Sequence, residues 1–458
     1  MADGPAAPPP AKFDAASHAD ALAGELAWLA AMIDARMRRF LEARDAVATA
    51  GDLPAPPPAP KGSALAACVA RAGLDAGDRA ILALATATAL QPALLDPFLV
   101  RNGALERTFT EVGGVAATTG GFRPSGDTAL FLLAGETLGA RAGAAARLEP
   151  DGRLRRCGLI DLGEPPPGAG PYAGALSAPP EVLSTLASGR PGRPDFSPAF
   201  PARRLTTALA WEDLVLSPDV ADQVEHVVGW LKHERRILDD WGLRRALAPG
   251  YRVLFCGPPG AGKTLTAALL GKRVGVDVYR VDLSAVVSKY IGETEKNLAS
   301  VFDRAERGDW ILFFDEADAL FGARSATSSA HDRYANQEVA YLLQRIETCA
   351  CLVILSTNLR GNIDDAFRRR FQSLVVFGRP DADERLRLWR GAVSGGMPLA
   401  ADVDLARLAA QHDLVGGSIV NAVRHAAVLA LRRGRDAVSQ QDLLAGVGAE
   451  LRKEGRTP

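Results

Sequence analysis

The sequence predicts an α/β fold: a parallel sheet sandwiched by helices, followed by a small helical lid and preceded by a mixed α+β N-terminal region. Three observations carry the prediction. The stretch "YRVLFCGPPGAGKTLTAALLGKRVG" runs from a short apolar strand through G-x-x-x-x-G-K-T into a helix-forming run, the context a phosphate-binding P-loop requires. Further on, "WILFFDEADALF" is a continuous apolar run ending in two carboxylates, as a parallel strand covered on both faces would read. From about residue 205 apolar strands alternate with amphipathic helices, the pattern of a βαβ architecture.

Each element follows in order. After a leader rich in Ala and Pro, Leu22, Leu26, Leu29, Ile33, Met37 and Phe40 recur at three- and four-residue spacing, so residues 1–52 are expected to be a disordered leader plus an amphipathic helix. The prolines of "LPAPPPAPKG" lack N–H donors and favour extended backbone, which predicts a linker over residues 53–62. Residues 63–189 mix short helical and strand-like patterns with many glycines, and read as a small mixed domain. The Pro/Gly-dense "SGRPGRPDFSPAFPARR" predicts a second linker over 190–204. A large nucleotide-binding domain over 205–379 and a helical lid over 380–458 complete the chain. Within the lid, "ADERLRLWRGAV", "VDLARLAAQHD", "GGSIVNAVRHAAVLALRRG" and "SQQDLLAGVGAELRKEG" are amphipathic, and Ser439 with Asp442 forms a capping-box pattern.

Composition excludes some functions. With 458 residues, 48% hydrophobic content and a formal net charge of −1, the chain can bury large cores but offers no global attraction to nucleic acid or an anionic membrane. Five scattered cysteines include one close pair, "CAC", with no second pair to complete a zinc site, so all five are expected to be reduced. The longest uncharged run, Ala80 to Leu95, is too short for a bilayer and contains Gln91 and Pro92. No membrane insertion and a cytoplasmic location are expected. Of the 53 basic residues only 8 are lysines, and three of these, Lys263, Lys289 and Lys296, fall inside motifs.

The chemistry concentrates in the P-loop NTPase-like stretch. Gly257, Gly260 and Gly262 let backbone N–H groups converge on phosphate oxygens at a helix N-terminus, Lys263 reaches the outer phosphates, and the Thr264 hydroxyl suits Mg²⁺. Pro258, Pro259, Ala261 and Leu265 complete the residues expected around the nucleotide. At the end of the second strand, Asp315 is expected to hold the metal and Glu316 to polarise water. A third strand, "CLVILSTN", delivers Thr357 and Asn358 to the same sheet edge, where Asn358 is placed to sense a γ-phosphate or align water. Arg368, Arg369 and Arg370 stand in a row ahead of a further strand; a run of this kind is either a solvated face or a functional cluster.

In order and approximate spacing, "GPPGAGKT", "FFDEAD", "STN" and "FRRRF" resemble the AAA+ ATPases over residues 205–455. The resemblance implies ATP and Mg²⁺ as cofactors, a homo-hexameric ring, and Arg369 and Arg370 as arginine fingers entering the neighbouring subunit's site. Gly416 and Gly417 match the family's small-residue turn near the adenine. The segment "SKYIGETEKN" is similar to the first pore loop of the branch that threads or remodels proteins, with Lys289, Tyr290, Ile291 and Gly292 matching its basic-aromatic-aliphatic-glycine pattern. A protein substrate gripped by Tyr290 is then the implied cargo. The stretch "AHDRYANQEVAYLLQRIE" resembles a bacterial subgroup of single-ring AAA+ proteins with a winged-helix-like N-terminal domain, some of them encoded with contractile injection systems. Two other functions remain open at this stage: a nucleic-acid-linked loader, and a nucleotide-gated scaffold with little turnover.

Overall fold

The structure is a computed structural model. It describes residues 15–42, 54–103, 106–116, 121–135, 137–190, 192–197, 200–281, 293–318, 340–358 and 365–456. The chain divides into two compact units, Met1–Pro194 and Asp195–Pro458.

In the first unit, α1 (Ala15–Glu42) buries Leu22, Leu26, Leu29, Ile33 and Met37 along one face. Helices α2 (Ala64–Ala72), α3 (Ala76–Leu90), α4 (Gly126–Ala134), α5 (Leu138–Ala145), α6 (Arg153–Arg156) and α7 (Pro180–Ser188) follow. Between them lie three short antiparallel pairs: β1 (Arg101–Asn102) with β2 (Arg107–Thr108), β3 (Val115–Ala116) with β4 (Phe122–Arg123), and β5 (Asp161–Leu162) with β6 (Leu176–Ser177). Helix α3 is buried from Asp78 to Ala87. The apolar run read in the sequence is therefore the core helix of this unit. No single described helix is long and apolar enough to cross a membrane; α3 and the short helix Pro92–Leu99 pass that test only as a pair bent by 105°.

The Pro-rich stretch is not a free linker. Trp28 Nε1 donates to the Pro54 carbonyl at 2.8 Å, and Arg79 Nη2 donates to that of Pro57 at 2.7 Å. The same guanidinium makes a two-point pair with the buried Glu25 carboxylate at 2.8 and 2.6 Å. A buried pair of this geometry satisfies both charges at once, and here it joins α1, α3 and the prolines.

The second unit is built on a six-stranded sheet of β7 (Ala202–Leu205), β8 (Tyr251–Cys256), β9 (Val278–Val281), β10 (Ile311–Phe314), β11 (Leu352–Thr357) and β12 (Ser373–Val376), in the order β12-β8-β11-β10-β9-β7. Five strands are parallel, and β7 closes one edge antiparallel to β9. This corrects the expected linker over 190–204, because Ala202–Leu205 belongs to the sheet and Arg204 Nε pairs with Asp277 at 2.8 Å.

Strand residues alternate between two cores, as the two-residue period requires. Leu254, Leu312, Phe314, Val353 and Leu355 pack with Leu298, Val301 and Phe302 of α10 (Glu293–Gly308). Val253, Phe255, Ile311, Phe313 and Ile354 face Val220, Val224 and Val227 of α8 (Pro218–Arg235) and Ala267 and Leu270 of α9 (Lys263–Val274). Both faces are covered, so the expected helix-sandwiched parallel sheet is what forms.

Beyond α11 (Asp365–Arg368), helices α12 (Ala382–Val393), α13 (Leu405–Gln411), α14 (Gly416–Arg432) and α15 (Gln440–Lys453) make the lid around the fully buried Trp389. The Ser439/Asp442 capping box is present at the start of α15. Cys349 and Cys351 are joined as a disulfide, while Cys68, Cys157 and Cys256 are thiols. That corrects the expectation of five reduced cysteines: the turn entering β11 folds back over Ala350 and leaves the two Cα atoms 5.4 Å apart.

Candidate active site

The C-terminal ends of β8, β10 and β11, adjacent in the order β8-β11-β10, deliver the loop, the acidic residues and Asn358 to one sheet edge. Ligands of open parallel sheets bind at this edge. After β8 the chain must pass tightly under β12. At Gly257 (φ 156°) an added Cβ would stand 2.4 Å from the Phe377 carbonyl oxygen, so only glycine fits. Gly260 and Gly262 also take positive φ, 77° and 95°, and Gly262 caps α9 in the left-handed conformation. Uncapped N–H groups at the start of a helix form an anion seat.

Lys263 is buried, and its ammonium donates to the Gly257 carbonyl at 2.7 Å, the Pro258 carbonyl at 3.0 Å and Asn358 Oδ1 at 2.9 Å. Burial pushes this ammonium down from the ordinary lysine range, and Asp315 and Asp318 pull it partly back. Thr264 Oγ1 donates to Asp315 Oδ2 at 3.4 Å, and Arg280 Nη2 approaches the same oxygen at 3.4 Å. A hydroxyl and a carboxylate oxygen side by side are the hard donors Mg²⁺ takes, so Thr264 and Asp315 fit the implied ion. Glu316 is exposed at the end of β10 with φ 53°, and its N–H donates to Asp315 Oδ1 at 3.1 Å.

The geometry thus brings together Gly257, Gly260, Gly262, Lys263, Thr264, Asp315 and Asn358, with Glu316 beside Asp315. Pro258, Pro259 and Ala261 lie in the loop and Leu265 on the first turn of α9. Gly416 and Gly417 open α14 against the loop: the Gly417 N–H donates to the Gly260 carbonyl at 3.0 Å. Arg424, two turns along α14, is exposed. Arg369 and Arg370 are exposed after α11, and Arg370 pairs with Glu347. Lys289, Tyr290, Ile291 and Gly292 lie outside the described residues.

Two residues escaped the sequence reading. Asp318 accepts from the Thr357 hydroxyl and from the Asn358 N–H at 3.2 Å; the last letter of "DEAD" was the signal. Arg280 was visible as a charge inside an otherwise apolar strand.

Against known proteins, residues 253–379 match the model of the ATPase family associated with various cellular activities (AAA), and residues 402–445 match the AAA+ lid domain. An uncharacterised AAA family ATPase of Sinorhizobium fredii is 37% identical over 172 residues, 37% of this chain and 50% of the relative. The ATP-dependent zinc metalloprotease FtsH 3 of Sphaerobacter thermophilus is 38% identical over 198 residues, 42% of this chain and 40% of the relative. Protein CdcH of Halobacterium salinarum is 32% identical over 235 residues, 50% of this chain and 31% of the relative. The chain thus spans half or less of the length of these three relatives. With a phosphate loop, a metal-competent carboxylate and a lid glycine on the loop, residues 253–379 and 402–445 are an AAA-family ATPase domain and its AAA+ lid.

Proposed function

We propose that this chain hydrolyses ATP and assembles head to tail into a homo-hexameric ring that remodels, unfolds or threads a protein substrate through its central pore. The observation that carries the reading is the meeting of Lys263, Thr264, Asp315 and Asn358, beside Glu316, at one sheet edge.

The α9 N-terminus and Lys263 hold the phosphates, and the carbonyls that now occupy the ammonium keep it aimed until they arrive. Thr264 and Asp315 would hold Mg²⁺, which when bound would supply positive charge against the phosphate oxygens. Exposed Glu316 accepts a proton from attacking water, and Asn358 presents its amide to the terminal phosphate or that water. Arg369 and Arg370, exposed on this subunit, complete the neighbour's site; such a finger is worth roughly 10³ to 10⁵ in rate.

The protein-remodelling part rests on the sequence of residues 288–297 and on a relative whose name couples ATP to a protease. Tyr290 offers an aromatic face that grips extended polypeptide with little regard to sequence.

Phosphate release from wild type and Glu316→Gln tests the enzyme: turnover must be present in the first and lost in the second, with nucleotide still bound. Substrates trapped on Glu316→Gln with ATP then test the cargo. Tyr290→Ala is expected to keep basal hydrolysis while losing work on the trapped protein; undiminished work would rule out threading.

A further inference from the structure

We infer that Asp318 is a positioning residue for the proposed hydrolysis, acting through Asn358. This rests on the reading of the site as an ATPase.

Asp318 Oδ1 accepts both the Thr357 hydroxyl proton and the Asn358 N–H, the latter at 3.2 Å. One residue earlier, the Ala317 N–H donates to the Ser356 carbonyl at 2.9 Å. The acidic loop after β10 is therefore stapled to the last two residues of β11 and to Asn358, which follows them. Thr357 and Ser356 are buried, so their legs of the staple have no water to turn to, while the Asn358 N–H leg is exposed.

The staple holds the backbone from which the Asn358 amide projects, and Lys263 decides how that amide faces. A lysine ammonium can only donate, so the amide atom at 2.9 Å from Lys263 Nζ is the oxygen. The Nδ2 hydrogens then point away from Lys263 and have no partner among the described residues. They are the donors a γ-phosphate oxygen or an attacking water would meet. With Asp318 holding the Asn358 backbone and Lys263 holding its amide oxygen, the side chain is tethered at both ends. The same contacts fix Glu316, which lies between Asp315 and Ala317, relative to that amide. Asp318 thus ties the water-polarising group to the phosphate-sensing group without touching substrate.

The test uses the full chain with Mg²⁺, reading kcat, KM, and the calorimetric affinities for ADP and for ATPγS. In Asp318→Ala, kcat is expected to fall about 10- to 100-fold, the penalty of a roughly 1 Å misplacement, with ADP affinity within about threefold of wild type. The preference for ATPγS over ADP is expected to collapse, because only the γ-phosphate meets the amide. Asp318→Asn keeps an acceptor oxygen for both donors and is expected to restore most of kcat and of the preference. Thr357→Val, which removes one leg of the staple and keeps the buried shape, is expected to fall between; it carries the test if Asp318→Ala does not fold.

Wild-type kcat and ATPγS preference in Asp318→Ala, or in Thr357→Val where that variant carries the test, would overturn the inference. So would an Asp318→Asn as impaired as Asp318→Ala, since charge rather than positioning would then be the requirement. An inactive wild type would instead defeat the proposed function, leaving the ATPγS-to-ADP ratio to judge Asp318 by binding alone.

Discussion

Glu316 sits at φ 53°, a left-handed conformation that costs a residue with a Cβ roughly 1 kcal/mol. The cause is local: Asp315 directly follows β10 while Ala317 and Asp318 are already tied to β11, so the chain must turn sharply at the residue between. Glycine would take that turn without strain. Glu316→Gly is expected to leave stability unchanged or raise it by about 1 kcal/mol, while phosphate release falls at least about 100-fold for want of the carboxylate. Thermal melting and a phosphate assay read the two effects separately, and a clear loss of stability would remove the strain argument. At this scale the sequence was legible where a residue's placement is set within its own motif. Lys263, Thr264 and Asp315 meet the loop or strand end their spacing implied. Asp318 was not legible, because its donors are 39 and 40 positions away in β11 and only the folded sheet brings them close.

Two elements of the lid make opposite kinds of contact. At the start of α14, a Cβ added to Gly417 would stand 3.0 Å from the Gly260 Cα, whereas one added to Gly416 would meet nothing closer than the Leu388 side chain at 3.4 Å. Gly417→Ala is therefore expected to push the lid off the phosphate loop and weaken nucleotide binding about tenfold, roughly 1.4 kcal/mol; Gly416→Ala is expected to change it less than about threefold. Equal effects in calorimetry would show that the close approach does not matter. At the start of α15, Asp442 is buried and takes Arg433 at 3.0 Å and Arg435 at 2.6 Å while capping Ser439. Burial pushes its carboxyl up, but Ser439 and Arg435 more than offset this and leave it below the ordinary carboxylate range. A depressed folded-state value stabilises the lid above the unfolded value, and that stability is lost as pH falls through the folded one. Wild type should thus lose lid stability as pH drops below about 4, and Asp442→Asn should show a flatter acid limb in a melting series. The lid helices were readable because each carries its own amphipathic stripe and cap. Strand β7 was not: "ARRL" has two exposed arginines and sits among prolines and glycines, and its place comes from β9 and Asp277 rather than from its own pattern.

For the whole molecule, the two units differ in how they record their structure. The second unit repeats a strand-loop-helix grammar that short windows display, whereas the N-terminal core is joined by pairs such as Glu25 with Arg79, 54 positions apart, that no window contains. The pairing of Arg370 with Glu347 is 40% and 41% exposed, so the interaction is worth at most about 1 kcal/mol and can be given up cheaply. A phosphate in a neighbour's site would be the stronger partner for the guanidinium. Arg370→Ala is accordingly expected to bind ATP normally and to hydrolyse it about 10³-fold more slowly. Lys263→Ala should fail to bind it. Mixed in equal amounts, the two variants place an intact Lys263 beside a neighbour's intact Arg370 at about one interface in four, if the contacts run head to tail. Turnover of the mixture is then expected to recover to about a quarter of wild type, on the same one-in-four count, though neither variant alone is active. Rings shown by mass to contain both variants, yet still inactive, would confine Arg370 to its own subunit and remove the shared site from which the ring was inferred.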